Sequence, residues 1–118
     1  MSPALRRMIV VEAHRRATGR CARIVHALGT GESFAVVAAE GGFRDVVSGL
    51  VAQPTAGDDL LVGTRRLTLG FDDAVLFRGE DLESGARFTG RAGGGASVTL
   101  YADGGDYFQY AVVDHAAT

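Results

Sequence analysis

The residues best suited to binding chemistry are arginines near the N-terminus. The first 23 residues contain six arginines and a single acid, Glu12, whereas the other 95 residues contain six arginines and thirteen acids. Arg16 and Arg20 form an Arg-x-x-x-Arg pattern, with Arg15 beside it and Gly19 inside it. Guanidinium groups fork onto phosphate or carboxylate and stack on planar rings. The spacing therefore indicates a site for an anionic ligand such as a diphosphate.

A second group with binding chemistry lies in the run Phe43-Arg44-Asp45-Val46-Val47-Ser48-Gly49-Leu50. The Asp45 carboxylate can accept hydrogen bonds, the Ser48 hydroxyl can donate and accept them, and Gly49 has no side chain. The other interpretation of this run is an ordinary strand, with Asp45 and Ser48 on its solvent side.

Taken together, the two groups resemble the PilZ domain, a small β-barrel family that binds cyclic di-GMP. That family pairs an Arg-x-x-x-Arg loop with a downstream Asp/Asn-x-Ser-x-x-Gly motif. Gly63-Thr64 before a strand, and Gly85-Ala86-Arg87-Phe88, are similar to later segments of the family. The resemblance covers about residues 15 to 90. It implies a barrel fold and cyclic di-GMP as the ligand.

The resemblance also implies a role for each site residue. Arg16 and Arg20 would clamp phosphates and guanine faces, while Asp45 and Ser48 would hydrogen-bond guanine edges or phosphate. This chain departs from the family pattern because two residues separate Asp45 from Ser48 instead of one, and Gly49 follows the serine directly. In an extended segment that spacing turns the two side chains to opposite faces, so a bulge or turn is needed to bring them together.

The elements that must position these residues are mostly strands. Segments rich in Val, Phe, Leu and Thr recur with turn residues every eight to twelve positions, a rhythm typical of an all-β barrel or sandwich, here Greek-key-like. The predicted strands are Cys21 to Leu28, Ser33 to Ala39, Phe43 to Ala52, Arg65 to Leu69, Ala74 to Arg78, Ala86 to Thr89, Ser97 to Ala102 and Tyr107 to Val113.

Residues 1–18 precede this β region and form a basic arm or short helix. Leu5, Met8, Ile9 and Ala13 recur at helical spacing, yet Met8 to Val11 is a continuous apolar run that also suits a strand. We expect a short helix or irregular arm that carries its arginines to an anion or to an acidic partner.

Composition limits the domain count and the class of protein. With 118 residues, 47% hydrophobic and 22% charged, the chain predicts one globular domain over residues 1–118. No apolar run is long enough for a membrane span, and the single Cys21 agrees with a reducing compartment, so we expect a cytoplasmic protein.

The chain lacks residues that several classes of enzyme need for catalysis. The chain has no lysine, which excludes a Schiff base or a standard phosphate loop. His14, His26 and His115 do not stand at metal-ligand spacing, and we read them as surface or strand residues. The sequence therefore predicts a non-enzymatic binding module with no metal or cofactor.

A structural subunit of an oligomeric assembly, of the phage connector or tail kind, is the alternative. The basic arm would dock on the acidic body of the next subunit. Tyr101, Tyr107, Phe108 and Tyr110 would then supply an aromatic interface. Direct nucleic-acid binding is disfavoured by a pI near 5.8.

Overall fold

A computed structural model describes residues 1–55, 57–93 and 95–114 of the chain. It contains one helix, α1 (Pro3–Thr18), followed by ten strands. The strands are β1 (Ile24–Ala27), β2 (Glu32–Ala39), β3 (Gly42–Asp45), β4 (Val51–Pro54), β5 (Asp59–Val62), β6 (Arg65–Phe71), β7 (Leu76–Asp81), β8 (Arg87–Ala92), β9 (Ser97–Ala102) and β10 (Tyr107–Val113).

The ten strands close into an antiparallel barrel. Each strand pairs with its neighbours in sequence, and β1 pairs with β10 to complete the ring. The prediction of an all-β barrel or sandwich with a short N-terminal helix or arm is confirmed, and the structure is a barrel with a helix. Its connectivity is up-and-down rather than Greek-key-like, because every connection joins adjacent strands.

The observed strands differ from the predicted ones at three places. The expected single strand Phe43 to Ala52 is two strands, β3 and β4, separated by a turn that begins after Asp45. In addition, β5 was not predicted, because it follows directly on the turn-rich stretch after Pro54. The predicted strand Ala74 to Arg78 ends too early, since β7 continues through Gly79 to Asp81.

The helix lies in the lumen of the barrel. It packs against β3 and β4 on one side and against β8, β9 and β10 on the other, which are opposite arcs of the ring. Residues 7–14 are all buried, so no side of the central turns faces solvent. A helix that is enclosed on every side needs apolar residues all round. This explains the run Met8 to Val11, which lacks a polar face.

Both helix ends are capped at the mouths of the barrel. The Ser2 hydroxyl accepts from the backbone N–H of Leu5 at 3.1 Å, and Pro3 opens the first turn. Gly19 ends the helix with φ of 75°. We call the end with Pro3 the N-terminal mouth, which also carries the β1–β2, β3–β4, β5–β6, β7–β8 and β9–β10 turns. The end with Gly19 is the C-terminal mouth.

Two inward phenylalanines in the wall lie over glycines of the neighbouring strand. Phe77 is opposite Gly90, and Phe88 is opposite Gly79, in the β7–β8 register. A Cβ atom at either glycine would overlap the facing ring and a backbone carbonyl. The glycines therefore make room for the two rings beside the helix.

No helix in the described part of the chain has the length and apolar character needed to cross a membrane.

The phenylalanine–glycine pairs predict that a methyl group added at Gly79 lowers stability, whereas one added at an open glycine does not. Gly79→Ala forces the Phe88 ring and the Thr68 carbonyl apart, and we expect it to lower the free energy of unfolding by about 1 to 3 kcal/mol. Gly29→Ala is the control, since a Cβ there meets no atom within 4 Å. Urea denaturation of both variants checks this, and equal midpoints would contradict the packing described.

Candidate functional site

The predicted arginines Arg15 and Arg16 lie near the C-terminal mouth and are bound to an acid of their own helix. The Glu12 carboxylate is completely buried and accepts from Arg15 at 2.7 and 2.8 Å and from Arg16 at 2.6 Å. Arg16 also donates to the Leu69 carbonyl. These guanidinium groups satisfy a buried carboxylate, as a charge in the lumen requires.

Arg20 lies on the same mouth and is largely exposed. Its guanidinium is 3.4 Å from the Asp114 carboxylate, which also bonds the buried ring of His14. Burial alone would raise the pKa of Asp114, but the bonds from His14 and Arg20 outweigh it and hold that pKa below its usual range. His14 is thus a buried helix residue, which corrects the expected surface or strand position; His115 is outside the described residues.

Asp45, Ser48 and Gly49 form a turn at the N-terminal mouth. The Ser48 hydroxyl donates to the Asp45 carboxylate at 2.6 Å, and Gly49 has φ of 76°. The turn therefore brings the two side chains together, as the unusual spacing required. The same carboxylate accepts two bonds from Arg7, at 2.8 and 3.0 Å. Asp45 consequently anchors the helix to the wall.

The two halves of the predicted site are not brought together. Asp45 meets the helix at Arg7, whereas Arg16 lies nine residues further along. At 1.5 Å per residue this separates them by about 14 Å along the helix axis. Arg15, Arg16 and Arg20 thus belong to one mouth, and Asp45, Ser48 and Gly49 to the other.

The Asp45 turn has a twin that the sequence analysis missed. Asp-x-x-Ser-Gly occurs again as Asp81 to Gly85, where Ser84 donates to Asp81 at 3.0 Å and Gly85 also has φ of 76°. In this turn Arg65, from the neighbouring strand β6, bonds the aspartate at 2.7 Å. The repeat indicates that the motif forms turns that connect adjacent strands of the barrel. Its two copies, 36 positions apart, were readable from the sequence.

Arg6 is the arginine of the helix that no carboxylate neutralises within the described residues. Its guanidinium lies 3.9 Å from the centre of the Phe108 ring and donates to the Met1 carbonyl at 2.8 Å. Its Nε is buried without a hydrogen-bond partner. Such a group is costly to leave unpaired, by about 1 to 3 kcal/mol.

Arg6 lines a cavity of about 420 Å³ at the N-terminal mouth. The wall is mainly apolar and aromatic, with Leu28, Phe34, Tyr107 and Phe108 around it, and Pro3 of the first helical turn at its edge. Arg7 lies over Phe34 at 3.7 Å, with its charge met by Asp45. A pocket of this size, with an aromatic wall and one unneutralised cation, suits a small organic anion.

Within residues 1–55, 57–93 and 95–114, no group of three or more His, Cys, Asp or Glu side chains is placed to hold a metal ion.

Comparisons with protein-family models, curated proteins and solved structures found no match to this chain.

The residues of this pocket could not be grouped from the sequence because they are far apart in the chain. Arg6 was seen as one of six similar arginines, and nothing in its local sequence distinguishes it from Arg7. One signal was available: Phe34 shares a strand face with Val36, and Phe108 shares one with Tyr110 and Val112, because residues two apart point the same way. Their meeting with Arg6 depends on the helix entering the lumen.

The twin turns predict different costs for losing the aspartate. Asp45→Ala leaves the Arg7 guanidinium, 7% exposed, without its partner, and we expect a loss of about 3 to 5 kcal/mol in stability. Asp81→Ala, the matched control, releases Arg65, which is 44% exposed and can reach water, so the loss is smaller. Chemical denaturation compares the two, and an equal or larger cost at Asp81 would contradict the anchoring role.

The pH dependence of the same pair has a definite sign. Burial raises the pKa of Asp45, but hydrogen bonds from Arg7 and Ser48 outweigh it, so the pKa lies below its usual range. The stabilisation is present above the unfolded pKa of about 3.9 and is lost as pH falls through the lower folded value. Asp45→Ala should therefore remove part of the acid-induced loss of stability.

Proposed function

We propose that this chain is a non-enzymatic binding module for a small anion with an aromatic body, held in the pocket at the N-terminal mouth. The observation that carries the proposal is Arg6. Among the five arginines up to position 20, four have a carboxylate partner, and Arg6 has none in the described residues. Its charge is therefore available to a ligand.

The surroundings of Arg6 support an anion at this place. The helix begins at Pro3, and the positive end of its dipole adds to the guanidinium charge. Phe108 beneath Arg6 excludes water from one face of the guanidinium, which strengthens a charged hydrogen bond made on the other. A carboxylate or phosphate oxygen at this mouth would accept hydrogen bonds from the terminal nitrogens of Arg6, which lines the pocket.

The aromatic wall supports a ligand with a planar ring. Phe34 and Phe108 are each partly covered by a guanidinium, and Tyr107 is 62% exposed at the rim. A ring placed against these side chains gains apolar burial and stacking. Nucleotides combine a planar base with phosphate, so cyclic di-GMP, which the resemblance to PilZ domains implies, belongs among the first compounds to test.

A ligand panel with three variants tests this function. We expect at least one of cyclic di-GMP, GMP, indole-3-acetate and phenylpyruvate to raise the melting temperature and to give a measurable Kd by calorimetry. Arg6→Met keeps the stem over Phe108 but removes the charge, and it should weaken binding by about 10- to 100-fold. Arg23→Met, an exposed arginine outside the pocket, is the matched control.

Two results would overturn the proposal. One is that neither these four compounds nor the aromatic amino acids phenylalanine and tryptophan stabilise the protein at high micromolar concentration. The other is that Arg20→Met abolishes binding while Arg6→Met does not. That would place the ligand at the C-terminal mouth, where Arg16 and Arg20 lie, the two arginines that the resemblance implies as phosphate clamps. Melting temperatures of the free variants confirm that each is folded.

A second candidate function is end-on assembly of copies of this chain. Nine large hydrophobic side chains are exposed among the described residues. Six of them, Leu28, Val46, Val47, Leu82, Tyr101 and Tyr107, lie in or beside turns at the N-terminal mouth. Such a concentrated apolar rim favours an interface, and two copies can cover it by meeting mouth to mouth about a two-fold axis.

Native mass spectrometry tests this second function. If copies associate through the rim, Val47→Asp should shift the protein to monomer, because Val47 is 68% exposed there. Val37→Asp, at an exposed site on the outer face of β2, is the control. A concentration-independent monomer in the unaltered protein would contradict assembly.

A further inference from the structure

A carboxylate faces the same pocket as Arg6. Glu32 is the first residue of β2 and lines the cavity together with Arg6. The two are not joined by an ion pair, and Glu32 has no salt-bridge partner in the described part of the chain. The pocket thus presents one unneutralised positive group and one unneutralised negative group.

The strand alternation explains why Glu32 points to the mouth. Phe34 and Val36 of β2 face the lumen, and residues two apart share a face, so Glu32 belongs to the inward set. It is paired with Ala27 across the β1–β2 hairpin, and Ala27 also lines the pocket. Glu32 is therefore the outermost member of the inward row of β2, at the level where a ligand would enter.

A ligand in this cavity must match both the positive charge of Arg6 and the negative charge of Glu32. An anion with no donor would satisfy Arg6 but would bring negative charge close to Glu32, which costs energy. A ligand with a protonated amine can instead give hydrogen bonds to Glu32 while its anion bonds Arg6. The aromatic wall of the same pocket takes an apolar body.

Accepting the proposed function, we infer that the ligand is a zwitterion of the aromatic α-amino acid class. Its carboxylate bonds the Arg6 guanidinium, and its ammonium group bonds the Glu32 carboxylate. The aromatic side chain packs against Phe108 and Tyr107 at the rim. Glu32 is then the residue that selects an amino acid over the corresponding simple acid.

Pairs of compounds that differ only in the amine test this selection. The pairs are phenylalanine with 3-phenylpropionate, and tryptophan with indole-3-propionate, measured by calorimetry on the full chain. We expect the amino acid to bind at least about fivefold more tightly, from one charge-assisted hydrogen bond in a partly open site. Glu32→Gln should bring the ratio of the two Kd values close to one.

Control variants separate this effect from a change in folding. Glu83→Gln alters an exposed acid in the β7–β8 turn, outside the pocket, and should leave the ratio unchanged. Arg6→Met should weaken both members of each pair alike. Glu32 is exposed, so its replacement is not expected to change the melting temperature of the free protein by more than about 2 °C.

The outcomes distinguish this inference from the proposed function. If both members of a pair bind equally, or the simple acid or a nucleotide binds more tightly, and Arg6→Met removes that binding, the proposed function stands and the inference is overturned. If no compound of either panel binds, both are overturned. A preference for the amino acid that survives Glu32→Gln also overturns the inference, because another group then holds the amine.

Discussion

The width of a ten-stranded barrel is the constraint on which the structure depends. About eight strands give an interior that the wall's own side chains can fill. Ten strands enclose more space, and the helix Pro3–Thr18 fills it. The helix is about 24 Å long at 1.5 Å per residue, enough to run from one mouth to the other. The apolar run at its centre and the Phe–Gly pairs in the wall follow from this filling.

A helix inside a barrel must neutralise every charge it carries there. Arg7 forms an ion pair with Asp45 of the wall, and Glu12 forms ion pairs with Arg15 and Arg16 of its own helix. Three of the six N-terminal arginines, Arg7, Arg15 and Arg16, therefore neutralise buried carboxylates, and the helix that carries them does not project from the scaffold as a basic arm. Only at the mouth, where Arg6 meets an aromatic pocket, is a helix charge left for a ligand. Location in the fold, rather than the number of arginines, decides which of them can bind.

The fold class could be predicted from the sequence, but the position of the helix relative to the barrel could not. Turn residues and alternating strands predicted an all-β barrel or sandwich, and the helical spacing of Leu5, Met8 and Ile9 predicted a short N-terminal helix or an irregular arm. Its place in the lumen could not be predicted, because a short helix with arginines at both ends also fits a surface arm. A turn brings Asp45 and Ser48 together, and the partner of the Asp45 carboxylate is Arg7, 38 positions away. That contact depends on long-range packing that local patterns do not encode.

Native-state hydrogen exchange of the backbone amides, followed by NMR on the full chain, tests the central claim that the helix occupies the lumen. A helix enclosed by the barrel can open only when the barrel opens. The amides of residues 8–14 should then exchange with the free energy of global unfolding, equal to that of the most protected strand amides. Exchange of these amides through local opening, at a distinctly lower free energy than the strands, would contradict the account.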